Sequence, residues 1–525
     1  MASALPGCLL KPLRNLNFNC VSLTVILFLM SRRLATRYHR KFMTNGFEMI
    51  LNYIEETLSA RKPVINFSLP NELKKKVDFS IGEEPTTPEY LLQQCKLVME
   101  HQVRPHHPHF HNQLFGGFDQ YAVLGNLMTT CMNGTMFTYE VAPCFSIMEE
   151  NIYEHLRKRV GWDQIDGMMT PGGSFANWNG MLLARYKRFP ESKNKGIQGL
   201  PPLKILTSVA SHYSITKGAI LEGIGIDNMI KIKVDDNGRM CPEAFEEEVK
   251  NIIERGEVPY FANITAGTSV GGAIDPVERL SGICKKYGIW AHLDAALGGA
   301  FFMSDKLRSK IGDCSNIDSI TWDPHKALVV PLQATFILCK YPGLMQSCNS
   351  TKADVLFHKF RTSYDLSLDT GDKSLQCGRV IDILKCWTYF KGNGWKDIAA
   401  QVEREHELAT YLTERVKNSN GKWILVYPTD TFNVSYYYVP EDMRELPRTD
   451  NFYKTLSKIN VSAKKLMIDE GKVLIGYATN GKNDNYFWRN VMSNPFINEE
   501  DVDFELDCIE RYCKTAHEDL KAGKA

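Results

Sequence analysis

The sequence lacks several features that would place the protein in a common functional class. Its formal net charge is only +1 over 525 residues, so no nucleic-acid partner is expected. Its 14 cysteines include no Cys-x-x-Cys pair, which argues against zinc fingers and favours reduced thiols over a disulfide framework. The apolar run at residues 21–30 is too short to span a bilayer, so no membrane partner is expected either.

Acidic residues are absent from the first 47 positions, which carry seven Lys or Arg residues before Glu48. This basic composition is typical of a targeting segment, either a mitochondrial presequence or a poor signal peptide. Arg32 and Arg33 directly follow the apolar run, and no small-residue cleavage site is present, which argues against secretion. The alternative is a disordered leader. We therefore expect a cytoplasmic protein, or a mitochondrial one if residues 1–47 are a presequence.

Hydrophobic periodicity predicts three folded segments after this basic leader. Residues 48–110 form a helical N-terminal segment, residues 111–394 a large domain, and residues 395–525 a small C-terminal α+β domain. Within the large domain, predicted strands alternate with helices, as in an α/β fold with a mostly parallel sheet covered by helices on both faces. Ligand-binding residues of such sheets gather beyond the ends of the strands.

Lys326 follows one predicted strand end, in the sequence Asp-Pro-His-Lys at positions 323–326. Pro324 ends the strand, and residues 327–330 are all apolar. Desolvation in such surroundings would lower the pKa of Lys326 and give a neutral amine that can condense with an aldehyde. The alternative is an exposed lysine that happens to follow a strand.

Other strand ends carry residues suited to a phosphorylated aromatic ring. Residues 171–174 (Pro-Gly-Gly-Ser) precede a helix, whose free N–H groups and positive potential favour an anion. Asp294 closes a buried strand, either as a helix N-cap or as the partner of a protonated ring nitrogen. His212 could stack on that ring or be an ordinary core histidine, and Thr268 lies between these two in sequence. With Lys326, these residues predict a pyridoxal 5'-phosphate site.

A cluster of histidines raises the question of a metal site. Its members are His101, His106, His107, His109 and His111. No cysteine or carboxylate accompanies them at ligand spacing, and two prolines interrupt any single helical face. We therefore predict no metal site here.

A set of longer motifs extends from residue 111 to residue 495. They are HNQLFGGFD (111–119), FTYEVAP (137–143), PGGS (171–174), SHYS (211–214), NITAGTSVGGAIDP (263–276), HLDAALGG (292–299), DPHK (323–326), YDLSLDTGDKSLQCGR (364–379) and FWRNVMSNP (487–495). In these motifs the chain resembles the group II pyridoxal-phosphate-dependent amino-acid decarboxylases, closest to the cysteine-sulfinate, aspartate and glutamate decarboxylase branch. The resemblance implies the aspartate-aminotransferase-type architecture (fold type I), with active sites shared between the subunits of a homodimer.

The resemblance also implies a role for individual residues. The implied catalytic residues are Lys326, Tyr364, His212 and Asp294. The implied cofactor-binding residues are Gly173, Ser174, His212, Thr268, Asp294, Asp323, His325, Lys326 and Gly378. Arg489 would pair with the substrate α-carboxylate, and Gln113 and Phe115 would line the substrate pocket. Tyr364 would act from a mobile loop that reaches into the neighbouring subunit's site.

The implied reaction is decarboxylation of an acidic amino acid to an amine and CO2. Cysteine sulfinate or aspartate is favoured, because Phe115 and Leu368 stand where glutamate decarboxylases usually have a small hydroxyl residue and a tyrosine. The segment FTYE looks like the glutamate branch, so glutamate is the alternative. Asp323 replaces the family's usual Asn, and Leu297 replaces a usual aromatic residue, which leaves a catalytically silent paralogue open as a partner protein. An aldehyde-forming oxidase is disfavoured, because the loop tyrosine and the stacking histidine are both present.

Overall fold

A computed structural model describes residues 20–351, 364–376, 378–479 and 485–524. The chain divides into one unit of residues 1–61 and 68–102 and a second of residues 62–67 and 103–525. The helices of the first unit are α1 (Cys20–Leu58), α2 (Pro70–Lys76) and α3 (Pro88–His101). Helix α1 continues across the predicted boundary between residues 47 and 48. No helix in the described part of the chain is long and apolar enough to cross a membrane.

The second unit contains two sheets and their covering helices. The strands are β1 (Phe110–His111), β2 (Asp166–Thr170), β3 (Leu203–Ser208), β4 (Met229–Ile232), β5 (Val258–Thr265), β6 (Trp290–Asp294), β7 (Ser319–Trp322), β8 (Thr335–Cys339), β9 (Trp423–Leu425), β10 (Asn433–Tyr438), β11 (Leu474–Ala478) and β12 (Phe487–Val491). The helices are α4 (Gln120–Met132), α5 (Pro143–Val160), α6 (Gly173–Arg188), α7 (Ser192–Lys195), α8 (Ser214–Leu221), α9 (Pro242–Glu254), α10 (Val277–Tyr287), α11 (Asp305–Arg308), α12 (Leu344–Asn349), α13 (Ile383–Lys417), α14 (Asp450–Glu470) and α15 (Glu499–Lys521).

The larger sheet has seven strands in the order β2-β8-β7-β6-β5-β3-β4. Strands β4, β3, β5, β6 and β7 pair in parallel, whereas β8 is antiparallel to both β7 and β2. Strands β6, β7 and β8 are buried along their whole length, as expected for central strands of a sheet that helices cover on both faces. The predicted mostly parallel α/β sheet is confirmed. Its parallel direction brings the carboxyl ends of β2, β3, β5, β6 and β7 to one edge.

The smaller sheet has five strands in the order β1-β11-β12-β10-β9. Strand β1 pairs in parallel with β11, with Phe110 opposite Leu474 and His111 opposite Ile475. The small domain was predicted to comprise residues 395–525, but its sheet also includes β1, which lies at the predicted boundary between residues 110 and 111. Helix α13 also crosses the predicted boundary between residues 394 and 395, where Gly394 adopts a positive φ of 69° and kinks the helix.

Strand β1 carries a buried histidine that forms an ion pair with α15. His111 Nε2 lies 2.5 Å from Glu505 Oε1 and 2.8 Å from Pro108 O, and Nδ1 lies 2.9 Å from Val491 O. Both ring nitrogens face oxygen acceptors, which favours the doubly protonated imidazolium. Burial alone would lower the pKa of His111, but the Glu505 carboxylate outweighs it and the pKa is raised above its usual 6.5. The pair ties β1 to the C-terminal helix.

Candidate active site

The carboxyl edge of the seven-stranded sheet brings the predicted cofactor residues together. Thr170 ends β2 and leads through Pro171 and Gly172 into α6, and Asp294 is the last residue of β6. The turns after β3, β5 and β7 carry His212, Thr268 and Asp323–Lys326. The expected clustering at strand ends is therefore present, as open parallel sheets require.

The first turn of α6 is shaped for close approach by another group. Gly172 has a φ of 98°, which only glycine adopts without strain, and it turns the chain into the helix. A Cβ on Gly173 would lie 2.8 Å from Asp323 Oδ2, so a side chain at this position would collide with the turn after β7. Ser174 is exposed in the same helical turn. The start of α6 therefore offers the free backbone N–H groups of a helix N-terminus, which can bind an anion.

Lys326 has a charged partner that the sequence analysis did not predict. Its Nζ lies 3.2 Å from Asp323 Oδ2, and the other carboxylate oxygen of Asp323 accepts a 2.7 Å hydrogen bond from Thr335 Oγ1. The predicted apolar support of the lysine is present, because residues 327–330 are all buried. Lys326 Nζ therefore lies beside a carboxylate, and a buried apolar segment follows the residue in the chain, whereas the neutral amine stays a prediction.

Asp294 is buried and bound by two donors. Its Oδ1 accepts from the N–H of Ala296, and its Oδ2 accepts from Asn177 Nδ2 at 2.9 Å. Asn177 Oδ1 in turn lies 3.0 Å from His292 Nε2, inside the sheet. Burial lowers the pKa of His292 to about 4, so this histidine is neutral. Asp294 is not an N-cap, because the next helical turn begins at Gly298 and its N-cap is Leu297. Its Oδ1 supports the local turn to Ala296, and Asn177 of α6 binds its Oδ2.

His212 lies within the electrostatic reach of the other predicted residues. Burial is the main cause that lowers its pKa, and the charges of Asp294, Lys326 and Asp323 also act on it. His212 and Thr268 both line a cavity of about 800 Å³ between the turns after β3 and β5. Thr268 Oγ1 accepts from the N–H of Ala273, which fixes that turn. Lys326, Asp294 and the start of α6 are not part of the lining of this cavity, which adjoins the predicted cofactor residues through His212 and Thr268.

The remaining predicted cofactor and loop residues are placed as follows. His325 Nδ1 lies 2.7 Å from Ala334 O, so its ring is turned toward the start of β8. Gly378 is exposed, and its contact with a cofactor stays a prediction. The Tyr364 hydroxyl donates to Asp369 Oδ1 at 3.1 Å, and its ring lies 4.9 Å from that of Tyr139. The segment predicted to be a mobile loop contains 3-10 turns at Leu366–Leu368 and Thr370–Lys373, and its residue 377 lies outside the described residues.

The predicted substrate residues lie on the smaller sheet and beside it. Arg489 on β12 donates from Nη1 to Ser269 O at 3.1 Å and from Nη2 to Asn112 O. Ser269 directly follows Thr268, so Arg489 is connected to the rim of the cavity. Gln113 is exposed, and Phe115 is half-buried with its ring 6.4 Å from that of Phe110. Within the described residues, no cluster of three or more His, Cys, Asp or Glu side chains could hold a metal ion.

These residues fit pyridoxal 5'-phosphate. The glycines at the start of α6 suit its phosphate, and the buried Asp294 carboxylate suits its ring nitrogen. Lys326, in the turn that also carries Asp323, supplies an amine that can condense with its aldehyde. When bound, this cofactor supplies the aldehyde for amine condensation and the electron sink for the charge left by CO2. With the cofactor bound, Asp294 would stabilise a proton on its ring nitrogen and His212 and Thr268 would lie beside the ring, and these roles stay predictions.

We expect Asp323→Asn to bind pyridoxal 5'-phosphate more tightly, by about tenfold or about 1.4 kcal/mol. The Asp323 carboxylate faces the first residue of α6, where it repels a phosphate and holds the Lys326 ammonium. An asparagine keeps an oxygen for the Thr335 hydroxyl but removes the charge. Absorbance titration of the apo protein with the cofactor measures the affinity, and exposed Asp313→Asn is the matched control. Unchanged or weaker binding in Asp323→Asn contradicts this electrostatic account.

Several polar residues of the site were not predicted from the sequence. They are Asn112, Asn177, His292 and Thr335. Asn177 had a usable signal, because it lies one helical turn after Gly173 and must point to the same side of α6. His292 also had one, since it lies two residues before Asp294 and projects from the same face of its strand.

Comparison with known proteins agrees with this geometry. A family model described as the pyridoxal-dependent decarboxylase conserved domain matches residues 70–439. The cysteine sulfinic acid decarboxylase of Mus musculus is 37% identical over 453 residues, which make up 86% of this chain and 91% of the mouse protein. The crystal structure of mouse CSAD matches with a TM-score of 0.87 at 35% identity, covering 90% of this chain and 98% of the mouse chain.

A more distant structure extends the likeness of the fold. The crystal structure of Oryza sativa TDC with PLP and tryptamine matches with a TM-score of 0.81 at 19% identity, and covers 91% of this chain and 97% of the other. The predicted fold type I architecture is thereby confirmed. Since the family model spans more than half of the sequence and the mouse enzyme matches most of it, the chain belongs to the pyridoxal-dependent decarboxylase family.

Proposed function

We propose that this decarboxylase acts on an acidic amino acid with a short side chain, cysteine sulfinate or aspartate. Arg489, a guanidinium that has no carboxylate partner among the described residues and is bound to Ser269, suits the α-carboxylate of an amino acid. The observation that favours a short side chain is Phe115, whose half-buried ring lies in the segment next to Arg489. Burial lowers the pKa of Arg489, so a bound anion is the environment that best stabilises its charge. The mouse relative of 37% identity is named for a substrate of this class, which supports the same choice.

The side chains divide the work of such a reaction between them. Arg489 binds a carboxylate of the substrate and holds it beside the turn that carries Thr268. Asn177 and the N–H of Ala296 fix the orientation of the Asp294 carboxylate, so that it can face the ring nitrogen of the cofactor. The Asp323 carboxylate beside Lys326 can hold the lysine ammonium near the site while the substrate amine reacts in its place.

An amine-product assay with aspartate, cysteine sulfinate and glutamate side by side tests the proposed function. We expect CO2 and the matching amine from the two shorter acids, at a higher kcat/KM than from glutamate. A preference for glutamate would contradict the substrate choice. Absence of turnover with all three acids, in protein that carries its cofactor, would favour the silent paralogue.

We expect Phe115→Ser to shift the preference toward glutamate by about tenfold, or about 1.4 kcal/mol. Phe115 is half-buried in the segment whose Asn112 carbonyl accepts from Arg489, so its ring limits the space for a longer side chain. The ratio of kcat/KM for glutamate and aspartate is the measurement. Phe118→Ser, which changes a half-buried phenylalanine of the same segment, is the matched control. An unchanged ratio in Phe115→Ser shows that this ring does not select the substrate.

We propose that the chain forms a homodimer. Helix α4 packs Ala122, Gly125 and Thr129 inward, and its other face carries exposed apolar side chains at helical spacing. These exposed residues are Tyr121, Leu124, Met128 and Met132. An apolar stripe of this kind is typical of a protein–protein interface, and a second copy would bury it.

We expect mixed subunits to show that Tyr364 acts across this dimer. Tyr364→Phe and Lys326→Ala should each be inactive, because one lacks the phenol that returns a proton to Cα and the other lacks the reactive amine. After random exchange, about a quarter of all sites combine a native Lys326 with a native Tyr364 from the neighbour. Activity of the mixture is the measurement, with exchange confirmed by mass spectrometry of tagged subunits. No recovered activity in exchanged dimers contradicts the cross-subunit role.

A further inference from the structure

Helix α14 carries a lysine that is buried without a counter-charge. Lys464 is only 8% exposed, although lysine is one of the residues least often buried. Its Nζ donates to Asn112 Oδ1 at 3.0 Å and to the carbonyl of Ile475, and it lies 3.9 Å from Met467 Sδ. All these partners are neutral. Within the described parts of the chain, no carboxylate lies within ion-pair distance of Lys464.

Asn112 connects this lysine to Arg489. The side-chain oxygen of Asn112 accepts from Lys464, and its backbone oxygen accepts from Arg489 Nη2. Arg489 likewise has no carboxylate within ion-pair distance among the described residues, and its Nε is buried without a hydrogen-bond partner. Gln113 follows Asn112 directly. Asn112 thus binds both the buried Lys464 and the half-buried Arg489 at the start of the predicted substrate segment.

A buried lysine beside a half-buried arginine, with no anion near either, is costly, because both lose hydration and they repel one another. Burial, and then the charge of Arg489, lower the pKa of Lys464 to about 7. On the other elements packed against α14, Arg511 of α15 pairs with Glu470, Cys513 of α15 lies 3.8 Å from Asn460, and the ring of Tyr437 on β10 lies 5.4 Å from that of Tyr453. Glu505 of α15 is bound by His111. Arg489 on β12 is the charged group that acts on Lys464. An incoming anion would relieve the repulsion.

We propose that Lys464 is a proton-linked positioning residue for the acidic substrate, holding Asn112 and Arg489 in place and adding a second positive charge behind the guanidinium. This inference rests on the proposed function, because the anion it invokes is the substrate carboxylate bound by Arg489. A carboxylate bound there favours the ammonium form of Lys464. Substrate binding and proton uptake by Lys464 are therefore linked, and the substrate affinity falls when the lysine loses its proton.

The pH dependence of KM and kcat in the holoenzyme tests this inference, with the substrate that the wild type prefers. In the wild type we expect KM to rise above about pH 7, approaching tenfold per pH unit, while kcat changes less. Lys464→Met should raise KM at pH 6.5 and lose this pH dependence. Lys464→Arg should keep KM low at pH 8.5, because a guanidinium stays protonated. The exposed neighbour Lys465→Met is the matched control and should behave as the wild type.

Several outcomes separate this inference from the proposed function. A wild type that turns over an acidic amino acid with a flat KM profile overturns the role of Lys464 and leaves the function intact. A Lys464→Met profile that follows the wild type overturns it as well. If Lys464→Met does not fold, the inference is tested by the dependence of KM on pH in the wild type and by the KM of Lys464→Arg at pH 8.5. Cofactor absorbance at each pH controls for loss of pyridoxal 5'-phosphate, and a wild type inactive on every acidic amino acid ends both proposals.

Discussion

Lys326→Ala should abolish turnover, with a loss of at least about 10⁴-fold in kcat, and should remove the visible absorbance of the lysine-bound cofactor. The physical reason is that no other amine replaces Lys326 in the turn after β7, where its Nζ lies 3.2 Å from Asp323. A methyl group cannot condense with an aldehyde, however well the cofactor is bound. Steady-state kinetics and the absorbance spectrum of the purified variant are the two measurements.

Two further variants make this expectation specific. Lys326→Arg keeps a positive charge beside Asp323 but cannot form the covalent link, so it should be as inactive as Lys326→Ala while retaining more of the thermal stability. Lys391→Ala removes an exposed lysine on α13 and should keep full activity. Substantial turnover by Lys326→Ala would remove Lys326 from the catalytic residues.

Asp294→Asn should fold but lose at least about 100-fold in kcat, or about 2.7 kcal/mol. Asp294 is buried with one oxygen fixed by Asn177 and the other by the N–H of Ala296, so its charge is aimed at a single position. A neutral amide at this position cannot stabilise a proton on the cofactor's ring nitrogen, and the electron sink is weakened. The pH dependence of the cofactor absorbance, compared between variant and wild type, reports the ring proton without requiring turnover.

The structural control for Asp294→Asn is its melting temperature. A turn-forming carboxylate and a turn-forming amide are similar in stability, so the loss of activity should exceed any loss of stability. Turnover within about twofold of the wild type, a change of about 0.4 kcal/mol, would mean that Asp294 only supports the turn.

The large sheet was predictable because its signals are local. Strands β6 and β7 are short apolar runs, and the residues that end them, Asp294 and Pro324, are visible in the sequence. Helices α4 and α14 were not predicted. On α4 the apolar residues Leu124 and Met128 face outward, so its pattern does not match that of a helix packed on one core. On α14 the buried Lys464 interrupts the apolar face.

The site was predictable to the extent that it follows strand ends. The sequence predicted Lys326, Asp294 and His212 beyond the ends of strands of one sheet, and the structure brings Asp294 and Lys326 within electrostatic reach of His212. The charge partners were not predictable, because they depend on three-dimensional proximity. Lys464 lies 352 residues from Asn112, and no local pattern joins them. Even the ion pair of Asp323 with Lys326, three residues apart, depends on the geometry of one turn.

The pairing of β1 with β11 has a consequence for how the chain is built during synthesis. His111 and Val491 are 380 residues apart, yet they belong to one small sheet. A ribosome must therefore release almost the whole polypeptide before this sheet can acquire its edge strand, and β11 is left with an unpaired edge until β1 reaches it. A fragment that begins at residue 395 carries the same open edge permanently. It should therefore aggregate when expressed alone and remain soluble when residues 103–119 are supplied through a fused linker.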